Sequence, residues 1–312
     1  MKKQIVTIAA LAMSLNMFAQ QWPVPNQEAK PGTRWWWLGS AVTENDLKWN
    51  LRQFADHGIG AIEITPIYGV QGNEKNNIPF LSPRYMDILK YVNAECKADG
   101  IEFDMATGTG WPFGGPWVPL DESASQMLII DTTVVGKKIK ALDLRPIEKK
   151  RKNTTLVGIY AFSEGKFLKI TTPLVEGTLT TKLPSKGTWR IIALYQKKGV
   201  MAVKRAAPGG AGLVIDHFDK QAVTNYLKHI EEAFEKTGTP YPHTFFNVSY
   251  EVSESDYTPT LFQEFYNRRG YSLEENFDKL VDGDTNVVVD YRETLGDMLL
   301  DNFTRTWTAW AH

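Results

Sequence analysis

"SPRYMDILKYVNAECKADGIEFDMA", Ser82 to Ala106, reads as one amphipathic helix running straight into one strand, and that pairing decides the fold class. Ser82 followed by Pro83 starts a helix well, because the serine hydroxyl accepts from a free amide of the first turn and proline has no N–H to leave unsatisfied. Tyr85, Ile88, Leu89, Val92 and Cys96 then fall on a single face at helical spacing. Gly100 supplies the left-handed residue that ends a helix, and Ile101 to Ala106 reads as a buried strand. Cys96, the only cysteine, is expected in the core.

The same alternation extends outward. Upstream, Thr33 to Leu38 reads as a strand, Thr43 caps a helix with Leu47, Leu51, Phe54 and Ala55 on one face, Gly58 ends it, and Ala61 to Thr65 is a second strand. Downstream the texture changes between 123 and 199 to strands with turn signals: "TTVVGKKIKAL", "LVGIYAFSEGKFLKITT", which bends at Ser163-Glu164-Gly165, and "TWRIIALYQKKG". Helical spacing returns with Val223, Tyr226, Leu227, Ile230 and Phe234. A strand from Thr244 to Tyr250 follows, then a helix started by Thr258-Pro259 and ended by Gly270, then a last helix with Leu295, Leu299, Phe303 and Trp310. Short strands alternating with helices predict an α/β fold, here a partial (β/α)8 TIM-type barrel with an inserted antiparallel β-rich domain. The expected division is a leader at 1–20, the first βα units at 21–122, the insert at 123–212 and further βα units at 213–312. A doubly wound open sheet is the alternative, although no Gly-x-Gly-x-x-Gly joins a strand to a helix.

Composition limits the partners. With 35 basic against 36 acidic residues there is no global field to gather nucleic acid, and none is expected as a ligand. Lys2, Lys3, the apolar stretch Ile5 to Phe18 and the polar break after Ala19 form an export signal, so the mature protein is expected to be periplasmic or secreted. The stretch is shorter than the roughly 20 residues a spanning helix needs, so no transmembrane segment is expected. Ten Trp, twelve Tyr and fifteen Phe suit a neutral ligand with apolar faces, such as a sugar.

Candidate site residues lie where strands end. Glu251 follows an apolar strand and precedes "SESD", where a carboxylate either acts as general acid or base or pairs with an arginine. Directly after the strand ending at Ala106, "TGTGWPFGGPWV" is too rich in Gly and Pro for helix or strand. Trp111 and Trp117 in it offer stacking faces, or pack the loop themselves. Alternation in "RWWWL" sends Trp35 and Trp37 to one side and Trp36 to the other. Glu63, between Ile62 and Ile64, points away from them, either toward a substrate or into an ion pair. Glu102 and Asp104 share a face by the same alternation. Asp216-His217, after "LVI", either hydrogen-bond sugar hydroxyls or form a cap by Asp216 or Asp219 with a packed histidine. The candidate substrate-binding set is Trp36, Glu63, Trp111, Asp216, His217, Asn247 and Tyr250, with Glu251 the candidate catalytic residue. His57 and His243 flank loops without metal-like spacing.

Four blocks in order, "RWWWLGSAVTENDL…GIGAIEI", "DMATGTGWPFGGPWV", "GLVIDHFDKQAV" and "SYEVSESDYTPTLFQEFYNRRGY", resemble glycoside hydrolase family 106, the α-L-rhamnosidases. The resemblance implies a (β/α)8 catalytic domain decorated by β-rich domains, a carbohydrate substrate, inverting hydrolysis of terminal α-L-rhamnosides, and an active-site calcium ion whose ligands it does not assign. It makes Glu251 one of two catalytic carboxylates, with acid or base left open. Two departures stand out. Val248 occupies a position that is commonly acidic in the family, and family members are longer, so that the second carboxylate is expected beyond His312 and the chain reads as an N-terminal portion. A non-catalytic sugar-binding remnant is the other reading.

Overall fold

The computed structural model describes residues 25–247 and 250–312. The expected leader at 1–20 lies outside the described residues, as does Val248. Strand β1 (Gly32–Leu38), helix α1 (Glu44–Asp56), strand β2 (Ala61–Ile67), helix α2 (Pro83–Asp99) and strand β3 (Glu102–Ala106) follow in that order. The local signals explain the bounds. The Thr43 hydroxyl accepts from the Asp46 amide at 3.3 Å and donates to its carboxylate at 2.7 Å, and the Ser82 hydroxyl accepts from the Tyr85 amide at 3.3 Å. Gly100 closes α2 with φ 67°, where a side chain would be strained.

A long antiparallel stretch comes next. A short β4 (Gly114–Gly115) is followed by β5 (Ser125–Val135), β6 (Lys138–Asp143), β7 (Thr154–Ser163), β8 (Lys166–Ile170), β9 (Thr178–Lys182), β10 (Thr188–Lys198) and β11 (Leu213–Val214). Helix α3 (Lys220–Thr237) and strand β12 (Thr244–Phe246) return the chain to the first sheet. Helices α4 (Leu261–Arg269), α5 (Phe277–Asp282), α6 (Thr285–Met298) and α7 (Arg305–Ala311) complete it.

The architecture is mixed α/β with separate parallel and antiparallel sheets. The parallel sheet has the order β1-β2-β3-β12, so its strands neighbour one another in chain order with no reversal, unlike a doubly wound sheet. Among the described residues it has four strands. Ile62, Ile64, Phe103 and Met105 face the helices and pack with Leu47, Leu51, Ile88, Leu89, Cys96, Val223 and Phe234. Each such side chain contributes about 1.5–3 kcal/mol by leaving water. Cys96 is buried as expected, and burial pushes its thiol up to about 12.

The antiparallel sheet has the order β5-β10-β7-β8, with a β6-β9 ribbon beside it. Both its faces are covered, and alternation assigns them. Ile159, Ala161, Ile191 and Ala193 pack toward the ribbon, while Tyr160, Phe162, Ile192 and Leu194 pack toward α4, α5 and α6. The β7–β8 turn falls at Glu164 and Gly165, whose φ angles of 46° and 75° are those of a tight primed hairpin. Among the described residues α3 and β12 extend the parallel sheet, while α4 to α6 pack on the antiparallel one. The last helical run joins the two cores. A π-helical turn at Leu299–Thr304 rotates its apolar face, so Tyr291 and Met298 pack on the antiparallel side while Phe303, Trp307 and Trp310 pack on the parallel side.

Two sequence bounds need correction. Of the strand expected over Thr244 to Tyr250, Thr244–Phe246 is strand and Asn247 is not, because the partner strand β3 ends at Ala106, opposite Phe246, and turns into the glycine-rich loop; residues 248–249 lie outside the described residues. The helix expected from Thr258-Pro259 begins at Leu261 after Thr260. Glu251 therefore stands on a connecting loop, not at the tip of a strand.

Candidate active site

At the C-terminal ends of β3 and β12 a cleft is lined by Ala106, Gly108, Trp111, Phe113, Phe246 and Asn247. Gly110 makes its shape possible: φ is 60° and an added Cβ would meet the Lys204 carbonyl. The backbones of Trp111 and Lys204 exchange hydrogen bonds at 3.0 and 2.7 Å, which clamps the loop to the segment returning from β10. Trp36 stands edge-on to Trp111, with ring centroids 6.1 Å apart. The structure thus brings Trp36, Trp111 and Asn247 together. Trp117 is placed differently, stacked on His229 at 4.4 Å with Phe80 6.2 Å away, so it packs the loop.

The sheet face opposite the helices carries a polar row flanked by Trp36 and Phe246. Arg34, Glu63, Asp104 and Thr244 occupy one row across the four strands. Glu63 accepts from the Thr65 hydroxyl at 2.7 Å, and its carboxylate lies 3.2 Å from Arg34 Nε, so it points away from Ile62 and Ile64 as expected and is also ion-paired. The Arg34 guanidinium lies over the Phe246 ring at 5.1 Å. Motif reading misses Arg34, although its i, i+2 spacing from Trp36 puts both on one side of β1. Glu102 and Asp104 do share a face, and His243 Nδ1 approaches both, at 3.6 and 3.3 Å.

Asp216 and His217 are both buried. The Asp216 carboxyl accepts from the Phe218 amide at 3.0 Å, and Asp219 caps α3 by accepting from the Gln221 amide at 2.8 Å. Burial raises the Asp216 carboxyl to about 7 and lowers His217 to about 3. His217 meets Phe303 and Tyr250 at 4.7 and 4.8 Å, so at 1% exposure its ring is a packed neighbour and not a surface open to a sugar. Tyr250 is half-buried between His217 and Phe218, and burial raises its hydroxyl. Glu251, the next residue, is exposed. Five residues on, Asp256 is raised to about 6 by burial and accepts from the Met127 amide at 2.7 Å. The polar run "SESD" carries no periodicity that would have singled it out. Among the described residues no three His, Cys, Asp or Glu side chains gather as a metal would require.

The family model described as alpha-L-rhamnosidase matches residues 23–155 and 161–312. A curated Formosa agariphila protein with a provisional β-glucuronidase name is 25% identical over 89% of this chain and 28% of its own length. Among solved structures, a rhamnosidase from Novosphingobium sp. PP1Y superposes with a TM-score of 0.68 at 16% identity, over 92% of this chain and 45% of that one. The chain thus spans less than half the length of either relative, and the second likeness is one of fold.

Proposed function

The chain belongs to the α-L-rhamnosidase family of glycoside hydrolases, and from that premise we propose that it supplies the substrate-facing strand ends of an exported enzyme that removes terminal α-L-rhamnose with inversion. The observation that carries the reading is the convergence of Trp36, Trp111 and Asn247 at the C-terminal ends of parallel strands, with Glu251 four residues beyond Asn247 in the chain. Parallel α/β sheets bind ligands at that end, since the loops there are free to vary while the strands fix their starting points. Four parallel strands in chain order support a (β/α)8 architecture.

The chemistry follows from what the residues can do. Indole faces desolvate the apolar face of a sugar ring, and Asn247 can both donate to and accept from hydroxyls. Inversion needs one carboxylic acid to protonate the departing oxygen and a carboxylate roughly 6.5–9.5 Å away to activate water on the opposite face. Glu251 is proposed as one of the two. Glu63 is held by Arg34 and Thr65, and Asp216 is buried, so neither stands open to a substrate as the second carboxylate. Calcium, which the resemblance implies, has no ligand set among the described residues. No described helix is long and apolar enough to cross a membrane.

Hydrolysis of an aryl α-L-rhamnoside by a version of the protein spanning the full length of its relatives, followed by proton NMR beside an aryl β-D-glucuronide control, tests the reading. Turnover of the rhamnoside with the β-anomer of rhamnose appearing first is expected. The α-anomer first overturns inversion, and turnover of the glucuronide alone moves the substrate to that of the Formosa relative. Rhamnose binding by calorimetry without turnover of either favours a non-catalytic sugar-binding protein.

A further inference from the structure

Glu251 lies in the connection between β12 and α4, and that connection is fixed at two places by elements outside the parallel sheet. Upstream of Glu251, the Tyr250 ring sits edge-on to His217 and 6.4 Å from Phe218, on the turn into α3. Downstream, residues 256–257 attach to the free edge of β5, the outermost strand of the antiparallel sheet. The Ser125 carbonyl accepts from the Asp256 and Tyr257 amides at 3.1 and 3.3 Å, and the Ser125 hydroxyl donates to the Tyr257 carbonyl at 2.8 Å. Gln196 of β10 donates to that hydroxyl at 2.9 Å, and the Tyr291 hydroxyl donates to the Asp256 carbonyl at 2.6 Å. The Asp256 carboxylate completes the attachment by accepting from the Met127 amide, an edge N–H that no neighbouring strand takes up.

The Ser125 carbonyl and the Met127 amide are groups on the outer edge of β5 that the attachment pairs, so the loop is held by specific hydrogen bonds and not by packing alone. We propose that Asp256 is a positioning residue that ties the Glu251 loop to the edge of β5, so that the antiparallel sheet sets where Glu251 stands. The loop attachment is a matter of geometry alone, whereas its catalytic consequence rests on the reading of Glu251 as a catalytic carboxylate.

Two substitutions separate positioning from bulk stability. Asp256→Ala removes the acceptor for the Met127 amide, while Asp256→Asn keeps a carbonyl oxygen at the same place. Hydrogen exchange read by mass spectrometry across 250–256 is expected to rise about tenfold in Asp256→Ala, with β2 and β3 unchanged and Asp256→Asn close to the parent. Unchanged exchange in the loop, or a rise throughout the protein, overturns the proposal. Where the parent turns over a rhamnoside, Asp256→Ala should lower kcat about 10- to 100-fold with little change in KM, as a misplaced catalytic group does, and Asp256→Asn should restore most of it. Loosened exchange with kcat and KM both intact also overturns it. A parent spanning the full length of the relatives that shows no turnover counts against the proposed function, and the exchange result still decides the attachment. If Asp256→Ala does not fold, Ser125→Ala, which breaks the link between Gln196 and Tyr257, takes its place under the same criteria.

Discussion

Arg34 and Glu63 face each other across the first two strands of the parallel sheet, with Nε 3.2 Å from Oε1, and the guanidinium also covers the Phe246 ring of the last strand. One side chain thus spans the open face from β1 toward β12, beside the ring of Trp36. The pair is partly shielded, with side-chain exposures of 31% and 15%.

Removing the charge of Glu63 should therefore be felt modestly. Glu63→Gln keeps an acceptor for the Thr65 hydroxyl and is expected to cost about 1 kcal/mol in urea denaturation. A double-mutant cycle with Arg34→Ala should return a coupling of about the same size. Coupling indistinguishable from zero would mean that the pair only coincides in position.

Glycine requirements differ sharply along the chain. Gly58, with φ 80° and open space around it, should lose about 1 kcal/mol on change to alanine, the cost of the left-handed backbone alone. Gly110→Ala adds a collision with the Lys204 and Arg205 backbone and is expected to lose about 3 kcal/mol, with a changed near-ultraviolet signal from Trp111. Equal losses at the two positions would show that the 110–111 backbone shifts freely away from Lys204.

What the sequence made legible was local. Ser82, Pro83 and Gly100 bound α2 because caps and φ preferences act within one turn, and Gly165 declares the β7–β8 hairpin because glycine accepts positive φ, although Glu164 takes φ 46° beside it. Pairing across distance is a different matter. Nothing in "TTVVGKKIKAL" says that β5 pairs with β10 rather than with β6, since period-two patterns fit any partner. The early end of β12 is set by Ala106 on its neighbour, which residues 244–250 do not encode. His217 and Asp256 owe their burial to Phe303 and to β5, elements from other parts of the chain, so their site roles were open until the packing was known.

Asp216 should make stability fall as pH rises. Burial, aided by the Asp219 charge and partly offset by Thr258, the Phe218 amide and Lys198, raises its carboxyl from 3.8 to about 7, and Asp256 rises to about 6. A folded-state value above the unfolded one means that folding favours the protonated form. The stabilisation is complete below about pH 4 and is lost as pH climbs through 6 and 7. Asp216→Asn keeps the acceptor for Phe218 without the charge. It should be near-neutral at pH 4 and more stable than the parent by up to about 4 kcal/mol at pH 8, taking 1.36 kcal/mol per unit as an upper bound. Comparing the two proteins cancels the opposite slope of exposed carboxylates such as Asp143 and Glu44, which their arginine partners hold below the usual range. An asparagine variant weaker than the parent at pH 8 would show that the buried carboxylate is stabilised as the anion.

Glu251→Gln addresses the role that the sequence leaves open. The substitution should leave the protein folded while lowering kcat about 10²- to 10⁴-fold. Leaving-group dependence then separates acid from base. If Glu251 protonates the departing oxygen, the loss should be large for an alkyl α-L-rhamnoside and nearly vanish for a dinitrophenyl one, whose phenolate leaves without a proton. If it activates water, the loss should be similar for both, because the nucleophile is equally weak whatever departs. Near-parental turnover on both substrates would remove Glu251 from proton transfer, and with it the reason for the β5 edge to hold this loop in place.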